Sequence, residues 1–280
     1  MNNAMTIDVE DYFHVSALAN VISRKDWDKL EYRAEQSTER ILSLFESKGV
    51  KATFFVLGWV TKRSPQLVRK IHAAGHEVAC HGLTHELVYR QTPEVFREET
   101  DVSKKLLEDT IGERVLGYRA ASYSITRQSL WAIDILCDLG FTYDSSIFPI
   151  AHDRYGIPGA STVPGPIKDS RGKSIVEFPL STVKFMGRRL PCSGGGYFRL
   201  LPYGFTRWAL RKINKDDNLP FIFYLHPWEV DPGQPRYENA SWLSRFRHYT
   251  NLDKCESRLS SLLDEFRFTT VRDVLRPHLN

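Results

Sequence analysis

Residues 51–85 read KATFFVLGWVTKRSPQLVRKIHAAGHEVACHGLTH, and their reading decides the fold. Residues 52–57 (ATFFVL) form a short apolar run rich in aromatic and β-branched side chains, which predicts a buried strand. Ser64-Pro65 opens a helix and Gly75 closes it, with proline just inside the start and glycine just past the end. Residues 76–80 return to a strand. A strand, a helix and a second strand in so short a span form the unit of a parallel sheet covered by helices.

The same unit recurs on both sides. Upstream, Ser37 is placed to cap a helix carrying Ile41, Leu42 and Phe45, closed by Gly49. Downstream, Thr92-Pro93 begins a helix ending near Gly112, and residues 115–119 read as a strand. Thr126 starts a helix to Leu139 with Gly140 after it, and residues 141–145 follow as a strand. The C-terminal part predicts a strand at 221–225 (FIFYL), a helix at 251–266 and a last strand at 268–271. This alternation predicts an α/β fold. A distorted (β/α) barrel is preferred over an open sheet, because candidate chemistry follows several different strands. Residues 150–205 break the rhythm: they are rich in Gly and Pro, include Ser193-Gly194-Gly195-Gly196, and hold one clear strand at 175–181. They are expected to be an insertion of loops and hairpins within a single domain spanning 1–280.

Composition narrows the function classes. The 280 residues are 42% hydrophobic and 26% charged, which fits a packed globular protein and not a disordered one. A net charge of +4 without a run of five basic residues gives no reason to expect nucleic acid. Cys80, Cys137, Cys192 and Cys255 are far apart, which favours free thiols in a reducing compartment over a disulfide framework or a thiolate zinc site. Residues 1–20 lack the basic start and apolar run of a signal peptide, and no stretch approaches the ~20 apolar residues of a membrane span. The expected location is cytoplasmic.

Three clusters carry chemistry. His81-Gly82-Leu83-Thr84-His85 directly follows a strand; if a helical turn comes next, the spacing puts both imidazoles on one face, within reach of one metal ion. Two unrelated loop histidines would read the same way. Thr6-Ile7-Asp8-Val9-Glu10-Asp11 crowds carboxylates at the end of the first strand, which is costly unless a cation or hydrogen bonds compensate. Asp8 and Glu10 point the same way along a strand, so one can bind metal while the other takes a proton. His226-Pro227-Trp228-Glu229 ends the buried strand 221–225, which puts a histidine at a strand terminus. Arg119 ends another strand, where it can hold a carboxylate ionised; Asp144 is a weaker candidate, equally explained as a cap.

Acid, histidine pair, arginine, Asp144 and histidine each follow a strand, in that order. In this the chain resembles the NodB-type polysaccharide deacetylases, carbohydrate esterase family four. Residues 6–11 correspond to that family's Thr-Phe-Asp-Asp motif and residues 81–85 to its His-Ser/Thr-x-x-His motif. Arg119-Ala120-Ala121 corresponds to Arg-x-Pro, and Tyr224-Leu225-His226 to Leu-x-His. The stretches FYLHPWEVDPGQPR (223–236), RHYTNL (247–252) and FRFTTV (266–271) resemble the exosortase-associated (PEP-CTERM locus) branch, with a family-specific extension from about residue 227.

The resemblance implies a NodB-type barrel and a divalent ion held by His81, His85 and an acidic residue; two histidines and a carboxylate suit zinc first, with cobalt or another divalent ion as the alternative. It implies Asp8 as general base, His226 as general acid and Arg119 as the group orienting Asp8. Two departures stand out: Asp-Val-Glu-Asp replaces the paired aspartates, and Ala121 replaces proline. Glu10 is preferred as the acidic ligand because it shares a strand face with Asp8, with Asp11 the alternative; Ser122 offers a backbone amide to an oxyanion. The expected partner is an N-acetylated sugar, oligosaccharide or glycan precursor, on which Tyr12, Phe13, Tyr123 and Trp228 either stack or simply pack. A small-molecule amidohydrolase, or a glycan-binding protein with a degenerate site, are the competing readings.

Overall fold

Eleven strands organise the chain, described over residues 1–152 and 154–279 in a computed structural model. They are β1 (Asn2–Val9), β2 (Thr53–Val56), β3 (Glu77–Cys80), β4 (Gly117–Tyr118), β5 (Tyr143–Asp144), β6 (Gly165–Lys168), β7 (Ser174–Glu177), β8 (Thr182–Phe185), β9 (Arg188–Pro191), β10 (Ile222–Leu225) and β11 (Arg267–Thr269). The main sheet runs in the order β10-β1-β2-β3-β4-β5-β7-β6, with β11 also pairing to β1. All its pairings are parallel except β6 with β7. The path has two ends, β10 and β6, so hydrogen bonds do not close the expected barrel.

Alternation along the buried strands sorts side chains to two faces. Met5, Ile7, Val9, Phe54, Val56, Val78, Cys80, Phe223 and Leu225 join the larger core under the helices. Ala4, Phe55, Ala79, Tyr143, Ile222 and Tyr224 face a second, smaller core. Thr6 and Asp8 stand in register with Ala4 on that second face, where a buried polar group needs a partner. Thr6 meets the requirement by donating from its hydroxyl to the Phe223 carbonyl at 2.9 Å.

Several expected boundaries move, each for a local reason. The first long helix is Ala34–Lys48, so Ser37 is buried inside it rather than capping it. Its opening N–H groups are satisfied from a distance by the Asp11 carboxylate. The segment expected as one helix from Thr126 is a 3₁₀ turn, Arg127–Ser129, followed by the helix Trp131–Asp138. The last strand stops at Thr269, because the Thr270 side chain accepts from Asp273 N and starts the helix Val271–Leu275.

The region 150–205 is more structured than expected. It supplies the hairpin β6–β7, of which β7 extends the main sheet beside β5, and the separate hairpin β8–β9. It then supplies the helix Gly195–Leu200 and the start of the helix Tyr203–Lys215. Gly194 explains the glycine run. It lies at φ 127°, and a Cβ there would come within 1.9 Å of the Tyr224 carbonyl oxygen. Only glycine lets this segment bridge the outer edge of β10, where Tyr224 N donates to Ser193 O at 2.8 Å.

Candidate active site

β1, β3, β4 and β10 lie in one parallel sheet, so residues at their C-terminal ends share one rim. Asp8 is near the end of β1 and Glu10 just beyond it; His81, Arg119 and His226 each follow the last residue of β3, β4 and β10. The structure brings all five together with His85.

His81 and His85 do not converge on a helical face, as the spacing had led us to expect. Residues 81–85 are not helical; the chain turns through Gly82 at φ 78° and His85 at φ 55°. Ligand atoms of Glu10, His81 and His85 nonetheless lie within 4.8 Å of one another, and all three residues are buried. His81 Nδ1 lies 2.8 Å from the Arg119 carbonyl oxygen. A carbonyl only accepts, so Nδ1 carries the hydrogen and Nε2 keeps its lone pair. Burial pushes His81 below its ordinary value, favouring the neutral imidazole a metal needs. Glu10 Oε2 sits 3.0 Å from His85 Nε2, yet it is buried without a hydrogen bond. An orphaned carboxylate oxygen beside two imidazoles is a donor set that fits a divalent cation.

Asp8 is held separately. Arg119, fully buried, donates from Nη1 to Asp8 Oδ1 at 2.7 Å and to Thr6 Oγ1 at 2.8 Å. Its other nitrogens donate to Ser145, Nε to the carbonyl oxygen at 3.1 Å and Nη2 to Oγ at 3.0 Å, and its guanidinium lies 4.1 Å from the Phe55 ring centroid. Every arm is anchored, which fixes one carboxylate oxygen and leaves Oδ2 toward the site. Tyr123 Oη donates to Oδ2 at 3.5 Å, and His226 Nε2 is 3.9 Å away.

His226 lies between two carboxylates, with Nε2 2.9 Å from Glu10 Oε1 and Nδ1 2.7 Å from Glu229 Oε1. Burial opposes its charge, but Glu10 and Glu229 outweigh burial and push the imidazole up to about 10. Glu229 is itself fully buried and paired to Arg199 Nε at 2.6 Å. Burial acts to raise its pKa, yet the charges of Arg199 and His226 hold the carboxyl below its ordinary value. Arg199 also donates to the carbonyls of Arg247, His248 and Thr250, so one buried guanidinium ties the acid's partner to the C-terminal segment.

The remaining candidates are placed elsewhere. Asp11 turns away from the histidines: its oxygens accept from Tyr12 N at 2.8 Å, Arg33 N at 2.6 Å and Ala34 N at 2.7 Å. Burial pushes it up to about 6 despite these bonds. Asp144 is buried, accepts from Ser146 Oγ at 2.5 Å and braces the loop after β5. Tyr12, Phe13, Tyr123 and Trp228 are all under a tenth exposed; Tyr123 reaches Asp8, and Trp228 stacks on His226 with ring centroids 5.2 Å apart. Ser122 sits at φ 50° on the wall of a cavity of about 380 Å³, which Tyr89, Tyr155, Tyr197 and Tyr224 also line.

Sequence reading missed Glu229, Arg199 and His14. Glu229 stands three residues after His226, a capping-box spacing that was available as a signal. Arg199 lay inside the irregular insertion and had no local signature. His14 Nδ1 accepts from Asp11 N at 2.8 Å, its ring lies 6.5 Å from that of His85, and its Nε2 is buried without a partner.

The fold is a mostly parallel α/β sheet with helices, and it matches the fold of solved polysaccharide deacetylase structures. Residues 27–143 match the family described as "Polysaccharide deacetylase", and residues 145–276 match one described as "Domain of unknown function (DUF3473)". A chitooligosaccharide deacetylase of Bradyrhizobium sp. (strain ANU 289) is 30% identical over 99 residues, 35% of this chain and 43% of that protein. The chain thus spans less than half the length of that curated relative. A solved structure from Mycobacterium smegmatis, assigned to the polysaccharide deacetylases, superposes with TM-score 0.64 at 19% identity, covering 99% of this chain and 90% of its own. Puue allantoinase superposes equally, TM-score 0.64 at 16% identity, covering 98% and 88%. At these identities both likenesses speak to the fold alone.

Proposed function

We propose that the protein is a divalent-metal-dependent hydrolase that removes N-acetyl groups from an N-acetylated sugar. The observation that carries this reading is the buried convergence of Glu10, His81 and His85 beside two differently held proton-transfer groups, Asp8 and His226. Glu10, His81 and His85 are the proposed ligands, with zinc or cobalt the suited ions. An ion bound there supplies Lewis acidity, lowering the pKa of water and polarising a carbonyl.

The protein's own groups then divide the work. Arg119 occupies Oδ1 of Asp8, so Oδ2 is the oxygen left to receive a proton from the attacking water. His226, oriented between Glu10 and Glu229, is the group placed to donate a proton to the departing amine nitrogen. The backbone amide of Ser122 is the proposed contact for the developing oxyanion. Products are acetate and a free amino sugar. The tyrosine-lined cavity beside Ser122 suits a saccharide, whose rings stack on aromatic faces. The C-terminal likeness to the exosortase-associated branch supports a role in exopolysaccharide or glycan biosynthesis, and the pairing of Tyr143 with Val176, one from each matched region, supports one domain over 1–280.

Acetate release from a panel of N-acetylated monosaccharides and oligosaccharides tests the reading. Release is expected to stop with chelator and return with zinc or cobalt. No release from any member with ion present overturns it.

A further inference from the structure

Residues 178–215 contain no aspartate or glutamate, yet they carry Lys184, Arg188, Arg189, Arg199, Arg207, Arg211, Lys212 and Lys215. Only Arg199 of these is buried. The stretch forms the hairpin β8–β9, which packs on the helix Tyr203–Lys215.

The hairpin is built against its own electrostatics. Lys184 stands directly opposite Arg189 across the strands, both exposed, and like charges facing each other destabilise a two-stranded ribbon. Neither they nor Arg188 meets a carboxylate among the described residues; Arg189 reaches only the Thr182 hydroxyl, at 3.4 Å. On the neighbouring helix, Arg207, Trp208, Arg211 and Lys215 fall on one exposed stripe. Arg207 and Arg211 share a single carboxylate, Glu265.

Large apolar side chains project from the same place. The turn is Met186-Gly187, at φ 47° and 77°, where asparagine or aspartate before glycine is the relaxed and soluble choice. Met186 occupies it 86% exposed, beside Phe185 at 45% and Trp208 at 40%, and the rings of Phe185 and Trp208 meet edge-on at 5.5 Å. A soluble polyanion satisfies the cations, and one with rings can stack on Trp208, but it gains little from Met186 and Phe185 projecting at the hairpin tip. An anionic lipid surface uses both: phosphates meet the cations while aromatic and aliphatic side chains enter the interface.

We propose that the hairpin β8–β9 and the exposed stripe of the helix Tyr203–Lys215 form a docking surface for an anionic lipid bilayer. Its tip is Phe185-Met186 and its charged flank is Lys184, Arg188 and Arg189. The surface stands independently of the catalytic reading, since none of these residues touches the rim.

Co-sedimentation of the full chain with vesicles tests it, comparing phosphatidylcholine alone with phosphatidylcholine containing phosphatidylglycerol. Binding is expected only to the anionic vesicles and is expected to weaken with added salt. The variant Lys184→Gln/Arg188→Gln/Arg189→Gln should bind on the order of 100-fold more weakly. Phe185→Ser/Met186→Ser, which keeps every charge, should lose on the order of tenfold. Both variants should stay folded: the charge variant relieves the Lys184–Arg189 repulsion and should be no less stable than the wild type, and Phe185→Ser/Met186→Ser should lose only the edge contact with Trp208. Failure to bind anionic vesicles overturns the proposal. So does undiminished binding by Phe185→Ser/Met186→Ser, which would mark a site for soluble polyanions instead.

Discussion

Replacing Asp11 by alanine separates a structural carboxylate from a metal ligand. Its side chain accepts from three N–H groups, those of Tyr12, Arg33 and Ala34. The last two open the helix Ala34–Lys48, whose own N-cap residue, Arg33, makes no capping bond. Water can serve the part-buried Arg33 N–H, but the Tyr12 and Ala34 groups are buried. Two orphaned donors cost about 1–3 kcal/mol each. Relief of a carboxylate whose pKa burial has raised from 3.8 to about 6 offsets about 3 kcal/mol of this at neutral pH, so a net loss of about 1–3 kcal/mol is expected. Urea unfolding of the ion-free protein should show that loss, and elemental analysis of the reloaded variant should show the wild-type metal content. Glu10→Ala should do the reverse on metal, emptying the site. If Asp11→Ala lost the ion while its stability moved by less than about 0.5 kcal/mol, Asp11 would be the ligand and the division of roles here would fail.

Three further outcomes follow from the site. Asp8→Asn should retain metal and lose on the order of 10²–10⁴-fold in turnover, the usual worth of one positioned proton-transfer group; loss of metal instead would make Asp8 a ligand. Glu229→Gln leaves Arg199 buried without its counter-charge, so stability should fall by about 3 kcal/mol or more. Turnover should also fall as His226 loses an orienting partner, and wild-type turnover would refute that link. His248 is buried against Trp228, with Nε2 2.7 Å from Gln234 Oε1, and burial lowers its pKa from 6.5 to about 3. The folded value lies below the unfolded one, so this contribution is full above pH 6.5 and is lost as pH falls toward about 3. Between pH 6.5 and roughly 4.5 the loss should be about 2 kcal/mol, and His248→Gln should remove that component from denaturant midpoints measured across the range.

The helices and parallel strands were legible because their signals are local. Thr92-Pro93 and Gly112 bound the helix Pro93–Ile111 as read, with Gly112 left-handed at φ 73°. The missed boundaries were set from far away: no pattern near Ser37 announces that Asp11, more than twenty residues upstream, supplies the acceptors for that helix. The rim residues stood out because their order after successive strands, and the resemblance it revealed, constrain one another. Their partners did not. Glu229 is local to His226 and was passed over, whereas Arg199 reaches it only through the fold, from a helix that the glycine-rich stretch disguised. Asp8 and Glu10 both approach His226, although β1 ends at Val9 and Glu10 lies just beyond the strand, and the histidine pair meets by a loop with two left-handed residues rather than by helical spacing.

The central claim is that Glu10, His81 and His85 hold the ion on which the reaction depends. An anomalous-difference map from crystals loaded with zinc addresses it directly. The account predicts one strong peak per chain at about 2.0–2.2 Å from a Glu10 carboxylate oxygen, His81 Nε2 and a His85 ring nitrogen, absent in His81→Ala crystals. A peak ligated by Asp11, or a peak that survives His81→Ala unchanged, would contradict it.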